Sequence, residues 1–410
     1  MPDYPVKGGV YVYITEQYYM YRLAYQLTKY DTYEVLHLNP KTNEVLLGKF
    51  ERKKTNVIRF IHKGFDWKNH LKIDIATLFQ RVKSMDRLLL GKHVDIYNVY
   101  VTSHEPVDEW EFYKKPIHVD NKAGLRMHVF YMVEETRQTE KERLFSHIGA
   151  ESYEDMVLPA EEDQELAVTE YKLALRNHLY RRNEEIKGIF TYGKPLFTYI
   201  FIGVNLALFL LLEMAGGSTD IPTLIAFGAK FNPLILLGEW WRIVTSMFLH
   251  IGLVHLFMNM LALYYLGMVV EQIYGSIRFL FIYFLAGIGG GLTSFAFNDS
   301  VAAGASGALF GLFGALLFFG VNYKRLFFQT MGRNLILILA INLLLGFMIP
   351  QIDMGAHLGG LVTGFVAAAI TSLPKKRHVL YQILFTLLYI GLSASLIVYG
   401  IMRNVALLSS

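Results

Sequence analysis

No cysteine occurs among the 410 residues, so disulfides, thiolate metal sites and thiol catalysis are all excluded. Charge is scarce as well, at 18% of residues against the roughly 25% usual in soluble domains. What charge there is lies mostly before about Lys194; from Leu196 onward it is confined to short gaps between apolar runs. The net charge of +4 is modest and fits basic loops beside a membrane better than a nucleic-acid surface, so no nucleic-acid partner is expected. The opening residues are polar and mixed in charge, unlike a cleavable signal peptide. No His-Glu-x-x-His occurs, and His250 and His255 lack the spacing of a one-face metal pair, which argues against a catalytic metal.

What is present is apolar length. Segments near Leu196–Met214, Phe248–Val270, Phe279–Phe297, Ser306–Val321, Leu335–Ile349, His357–Leu373 and Val379–Ile401 are long enough, or nearly so, to cross a bilayer; the fourth and fifth are short. Basic residues sort the gaps. Arg181, Arg182, Lys187 and Lys194, then Arg278, then Lys324, Arg325 and Arg333, then Lys375, Lys376 and Arg377 fall on one side. The other side holds Lys230, Arg242 and Arg403. The positive-inside rule predicts a cytoplasmic N-terminal domain and an external C-terminus.

With that alternation the second, fourth and sixth segments start at the same face. Ser306 and His357 lie near the starts of the fourth and sixth, and His255 and Asn259 about two turns into the second. At about 1.5 Å per residue they share one layer on the order of 10 Å deep. Polar side chains at such depth are costly and mark function. A serine beside a base is the minimum for nucleophilic catalysis. The stripe Gly307, Gly311, Gly314 faces a stripe Ala356, Gly360, Gly364, so the two helices can pack closely and bring Ser306 Oγ within hydrogen-bond reach of His357. His255 and Asn259, four apart, share a helix face and offer donors to an oxyanion. His250 is off that face and reads as structural. Asp353 reads as a solvated loop acid, which favours a dyad over a triad. Arg242 is expected to anchor the long apolar loop 216–241 at the head groups, and Phe347, at the end of the fifth segment, to line a lateral gate.

These residues fall into an ordered set of motifs. Glu239-Trp240-Trp241-Arg242, then His250 with His255-Leu256-Phe257-Met258-Asn259, then Val270-Glu271-Gln272-Ile273-Tyr274-Gly275 are followed by Gly304-Ala305-Ser306-Gly307 and Gly355-Ala356-His357-Leu358-Gly359-Gly360. Together they resemble the rhomboid intramembrane serine proteases over roughly 196–373. The resemblance implies Ser306 as nucleophile and His357 as general base. It implies an oxyanion hole from His255, Asn259 and the Ser306 N–H. Trp241, Arg242, His250, Glu271, Gly304, Gly307, Phe310 and Gly360 would be structural parts of the motifs. Phe310 stands where many members carry a tyrosine stacked on the histidine; it keeps the ring and lacks the hydroxyl. No cofactor is implied. The implied partners are transmembrane protein substrates and the lipid bilayer. A large N-terminal domain and a seventh segment are similar to Gram-positive bacterial members, which implies the bacterial plasma membrane. The class that competes with an enzyme is a non-enzymatic membrane chaperone or transporter using the same polar layer.

The expected architecture is therefore a polytopic all-α membrane protein, a rhomboid-like six-helix core plus a seventh helix, with an N-terminal soluble α/β domain. Its expected divisions are 1–150, an acidic linker and amphipathic helix over 151–195, a core over 196–373, and 374–410. In the first of these, Thr15–Lys29 with Thr15 as cap, strands at Tyr33–Leu38, Glu44–Glu51, Asn56–His62 and Val94–Val101, and a helix through Leu71, Ile75, Leu78 and Val82 give an α-β-β-β-α-β order similar to restriction-endonuclease-like folds. The acidic and lysine site of those enzymes is not recognisable. His62, Asp66 and His70 read as scattered surface residues, and the domain as a regulatory or recruiting module for a cytosolic partner.

Overall fold

The structure, a computed structural model, describes residues 8–51, 54–85, 93–120, 124–150, 158–374, 376 and 378–409. The chain divides into two compact units, Met1–Glu185 and Ile186–Ser410.

In the first unit, α1 (Gly8–Tyr30) is followed by β1 (Glu34–Asn39), β2 (Glu44–Phe50), β3 (Lys54–His62), α2 (Lys68–Ser84), β4 (His93–Val101), β5 (Ile117–Asp120), β6 (Leu125–Met132) and α3 (Arg137–Ile148). Helix α4 (Glu161–Phe190) begins in this unit. The sheet order is β1-β2-β3-β4-β6-β5, with β3, β4 and β6 parallel and the flanking pairs antiparallel. Strand side chains alternate between faces. Ile58, Phe60, Tyr97, Val99, Phe130 and Met132 face a layer that includes Leu23 and Leu27 of α1, Leu144 and Phe145 of α3, and Leu175 of α4. Val57, Ile61, Ile96, Tyr100, Val129 and Tyr131 face Leu71, Ile75, Leu78 and Val82 of α2.

The α-β-β-β-α-β order is present, and β5, β6 and α3 extend it. Helix α1 starts at Gly8, well before Thr15, so Thr15 is inside the helix and caps nothing. Of the expected acidic linker, residues 151–157 lie outside the described residues. Its remainder is partly helix, for α4 opens on Glu161, Glu162 and Asp163, where carboxylates complement the N-terminal end of the helix dipole.

The second unit opens with α5 (Phe197–Ala215). Short helices α6 (Ile221–Ala226), α7 (Asn232–Leu236) and α8 (Arg242–Thr245) fold the following loop. Next come α9 (Leu253–Ala262), a wide π-type turn at Leu263–Gly267 and α10 (Met268–Tyr274), which together form one apolar rod. Helices α11 (Ser276–Phe297), α12 (Ser306–Asn322), α13 (Lys324–Thr330), α14 (Gly332–Met348), α15 (Met354–Thr371) and α16 (Val379–Ser409) complete it. Among the described residues, 5 helical spans are long and apolar enough to cross a membrane, or 6 if α13 and α14, bent by 75°, count as one. Helix α12 falls below that length, as the short fourth segment anticipates.

Helices α11, α12 and α15 form the centre, and their contact is made of glycine. A Cβ on Gly360 would stand 1.9 Å from the Gly307 carbonyl oxygen, and one on Gly364 would stand 2.2 Å from the Gly311 Cα. Backbones at that distance gain dispersion contact that no larger residue permits. Glu271 fixes the end of α10 to the start of α5. It is fully buried and accepts from the Leu196, Phe197 and Thr198 amides at 2.8, 3.0 and 3.0 Å. Those amides have no partner within their own helix, so one carboxylate caps a membrane helix from outside it.

Candidate active site

Ser306 is the first residue of α12 and is half-buried. Its N–H belongs to the first turn, where no intrahelical acceptor exists, so it is open to a ligand. The turn before it depends on Gly304, whose φ is +145° and whose added Cβ would stand 2.7 Å from His255 Cε1 and 2.9 Å from Nε2. Conformation and space both demand glycine here. The turn is clamped by two further bonds: the Gly304 N–H donates to the Ser246 carbonyl at 2.9 Å, and the Ala305 N–H to His250 Nε2 at 3.5 Å. His250 is fully buried, with its ring 5.3 Å from that of His255. The structural reading of His250 thereby gains a specific object, the residue next to Ser306.

Helix α9 begins at Leu253, later than the sequence suggests, because Gly252 with φ +78° ends an extended stretch. His255 is therefore in the first turn rather than two turns in. Three elements present their first turns together: Ser306 on α12, His255 on α9 and His357 on α15. His255 Nδ1 accepts from the Ile251 N–H at 3.4 Å, leaving Nε2 turned toward Gly304. Asn259 is buried, and its Nδ2 gives one hydrogen to the His255 carbonyl at 2.9 Å. The amide keeps a second hydrogen to give.

His357 is buried and lies flat on Phe310, ring centroids 4.1 Å apart and planes 15° apart. Its Nδ1 is buried and has no hydrogen-bond partner among the described residues. Among the described residues no hydrogen bond joins Ser306 Oγ to the His357 ring. What joins the two is the backbone contact of Gly307 with Gly360, one residue past the serine and three past the histidine. A small cavity of about 50 Å³ opens beside Ser306, lined among others by Met247, Gly304, Ala308 and Asp353.

Asp353 is not a solvated loop acid. It is the N-cap of α15: Oδ1 accepts from the Ala356 N–H at 2.9 Å, and Oδ2 accepts from Asn298 Nδ2 at 2.7 Å and from the Ser294 hydroxyl. An aspartate at N-cap satisfies first-turn amides, and this one does so four residues before His357. Lys230, buried on the same side, donates to the Asn298 and Ser300 carbonyls at 2.5 and 3.0 Å. Burial pushes its amine down to about 8, opposed by the Asp353 and Asp299 carboxylates.

Arg242 does not reach for head groups. It is 4% exposed and donates to the Ile225 and Ala229 carbonyls at 2.6 and 3.1 Å and to Glu239 at 2.7 Å, with the Trp241 ring 4.7 Å away. Guanidinium groups suit this work because their donors fork toward several acceptors at once. Trp241 is itself half exposed. Phe347 is 68% exposed, while its neighbour Gly346 lies against Met354. In the first unit, His62 and Glu16 are paired at 2.6 Å and Asp66 and His104 at 3.2 Å. Among the described residues no three His, Asp or Glu side chains gather as a metal group.

Sequence reasoning passed over Lys230, Asn232 and Asn404. The cap at Asp353 was findable, for an aspartate just ahead of an apolar helical run is the ordinary start signal.

A serine at the head of one apolar helix, a histidine on the helix packed against it, and donors on a third define a polytopic membrane protein equipped as a serine hydrolase. The sequence matches the Rhomboid domain over residues 237–374. It is 36% identical over 361 residues to rhomboid protease GluP of Bacillus subtilis (strain 168), covering 88% of this chain and 70% of that protein. Two Arabidopsis thaliana proteins match over shorter stretches. RHOMBOID-like protein 5 is 42% identical over 152 residues, 36% of this chain and 48% of that one. RHOMBOID-like protein 2 is 38% identical over 205 residues, 42% and 64% respectively. The chain belongs to the rhomboid family.

Proposed function

We infer that the chain works as an intramembrane serine protease in which Ser306 is the nucleophile and His357 its general base, acting on membrane-anchored proteins. Family membership supports the activity. The observation that supports the assignment of residues is the approach of three helix starts: Gly304, just ahead of Ser306, lies against His255, and the Ser306 and His357 helices are in backbone contact through Gly307 and Gly360. In the reaction the Ser306 hydroxyl adds to the scissile carbonyl while its proton passes to the His357 ring. The oxyanion is held by the Ser306 N–H, the His255 ring and the free Asn259 hydrogen. The protonated His357 then gives its proton to the leaving amine, and water releases the acyl-enzyme by the same steps in reverse order. Phe310 holds the imidazole plane, and no carboxylate is needed to orient it. Glycine at 304, 307 and 360 sets the close approach on which the pair depends.

The test is covalent labelling by a fluorophosphonate probe together with cleavage of a test transmembrane substrate. Ser306→Ala and His357→Ala should each abolish both while leaving the thermal midpoint in place, and His255→Ala should slow cleavage by about 10²–10³. Cleavage by Ser306→Ala protein overturns the assignment. A membrane chaperone or transporter would show neither labelling nor cleavage.

The setting we propose is the bacterial plasma membrane, N-terminus cytoplasmic and C-terminus outside, on the strength of the basic loops. A cysteine at Lys376 that reacts with an impermeant thiol reagent on intact cells, while one at Asn298 does not, would reverse it. For the first unit we propose regulation through a cytosolic partner, since the catalytic motifs all lie outside it. Substrate processing in cells that is unchanged when residues 1–160 are removed would count against that role.

A further inference from the structure

The last helix carries a polar side chain that the proposed chemistry does not use. Asn404 of α16 is 5% exposed, on a helix whose other flank is open and apolar. An amide buried in such a place costs free energy unless it finds partners. Its Nδ2 is shared between the Gly400 carbonyl of its own helix at 2.7 Å and the Phe295 carbonyl of α11 at 3.0 Å. Its Oδ1 accepts from Asn232 Nδ2 at 2.8 Å. Asn232, 3% exposed, also lies with Nδ2 3.1 Å from the Asn298 carbonyl. These carbonyls sit at the C-terminal end of α11, where the helix supplies no donors of its own. Beyond them the chain divides the catalytic pair. Residues 298–305 lead directly into Ser306, and the Asn298 side chain donates to Asp353, the cap of the His357 helix. Gly400 permits the approach, for a Cβ there would stand 2.6 Å from the Phe295 ring. Next to it Arg403 grips Asp299 in a two-pronged ion pair, one prong at 2.8 Å.

We propose that α16 positions the catalytic pair as well as anchoring the chain: Asn404, acting through Asn232 and the end of α11, holds the approach to Ser306 in register with the helix of His357. Asn404 is a positioning residue, and the inference rests on Ser306 and His357 being nucleophile and base. A displacement of about 1 Å far from the chemistry is enough to cost on the order of 10²-fold in rate.

The experiment uses the full chain in detergent and reads three quantities: the rate of Ser306 labelling by a fluorophosphonate, kcat and KM on a test transmembrane substrate, and the thermal midpoint. Asn404→Ala should slow labelling and kcat by roughly ten- to a hundredfold with KM unchanged. Asn232→Ala should do the same, and the double variant should be no slower than either single, because both break one link. Asp299→Asn, at an exposed pair that does not endanger folding, should slow labelling about twofold. Wild-type labelling rates in Asn404→Ala and Asp299→Asn overturn the proposal. So do losses that add in the double variant or follow the thermal midpoint, which is what a purely structural brace would give. A wild-type protein that is not labelled at Ser306 overturns the dyad first, and this inference with it.

Discussion

The two units bury charge by opposite means. In the first, charge is matched with charge: Arg59 bridges Glu44 and Asp74 at 2.5 Å each, and Asp95 takes Arg126 at 2.8 Å and Lys54 at 2.9 Å. In the second, buried charges are matched mainly with backbone. Glu271 takes three amides, Arg242 two carbonyls besides Glu239, Lys230 two carbonyls, and Asp353 caps a helix. A bundle of apolar helices has few ionic partners to offer but many unpaired amides and carbonyls at helix ends. Each buried charge there becomes a clamp on a loop or a helix start. Against that background His357 is conspicuous, since its buried Nδ1 has no partner among the described residues.

The comparison can be broken by removing one member of each kind. Arg59→Met should destabilise the first unit by about 3 kcal/mol, the lower end for a broken buried pair, because Arg81 and Lys63 still reach the stranded carboxylates. Glu271→Gln should cost about 1–3 kcal/mol in the second, since a neutral oxygen still accepts from some of the amides. Thermal unfolding of the full chain, followed separately in each unit, measures both. A larger loss for Glu271→Gln than for Arg59→Met would mean that backbone clamping is the more costly arrangement to disturb.

A smaller effect sharpens the picture through pH. His128 is 8% exposed in β6, stacked on Tyr97 and 5.1 Å from His147. Burial, followed by the neighbouring His147, pushes it down from 6.5 to about 4. Between those values the unfolded chain binds a proton that the folded one refuses, so stability falls as pH drops from about 6.5 to about 4 and levels off below. His128→Gln should flatten that part of the profile. An identical slope in both proteins would remove His128 as its source.

How much of this was legible follows the same division. Long apolar runs and ordered small-residue motifs announce the membrane helices because a bilayer demands length and composition, and Ser306, His357, His255 and Asn259 stand out because polar residues are rare there. The strand β6 was as readable as β4, being the run Leu-Arg-Met-His-Val-Phe-Tyr-Met, yet the short strand Ile117–Asp120 before it carries no signal of its own. Arg242 was misjudged because position beside a membrane says nothing of which carbonyls fold back onto it. Asn232 and Asn404 are 172 residues apart, and no local pattern connects an asparagine in a loop with one near the chain's end.

The π-type turn at Leu263–Gly267 sets the relation between the two ends of its rod. At about 100° per residue an unbroken α-helix would leave Asn259 and Glu271, twelve positions apart, about 120° out of phase. Five residues in the wider turn advance by only about 80° each, which brings the two to within roughly 20°. One flank of the rod can then offer a hydrogen to the site at one end and hold α5 at the other. The extra residue works as an azimuthal correction, lodged mid-span where the bilayer tolerates no break in hydrogen bonding.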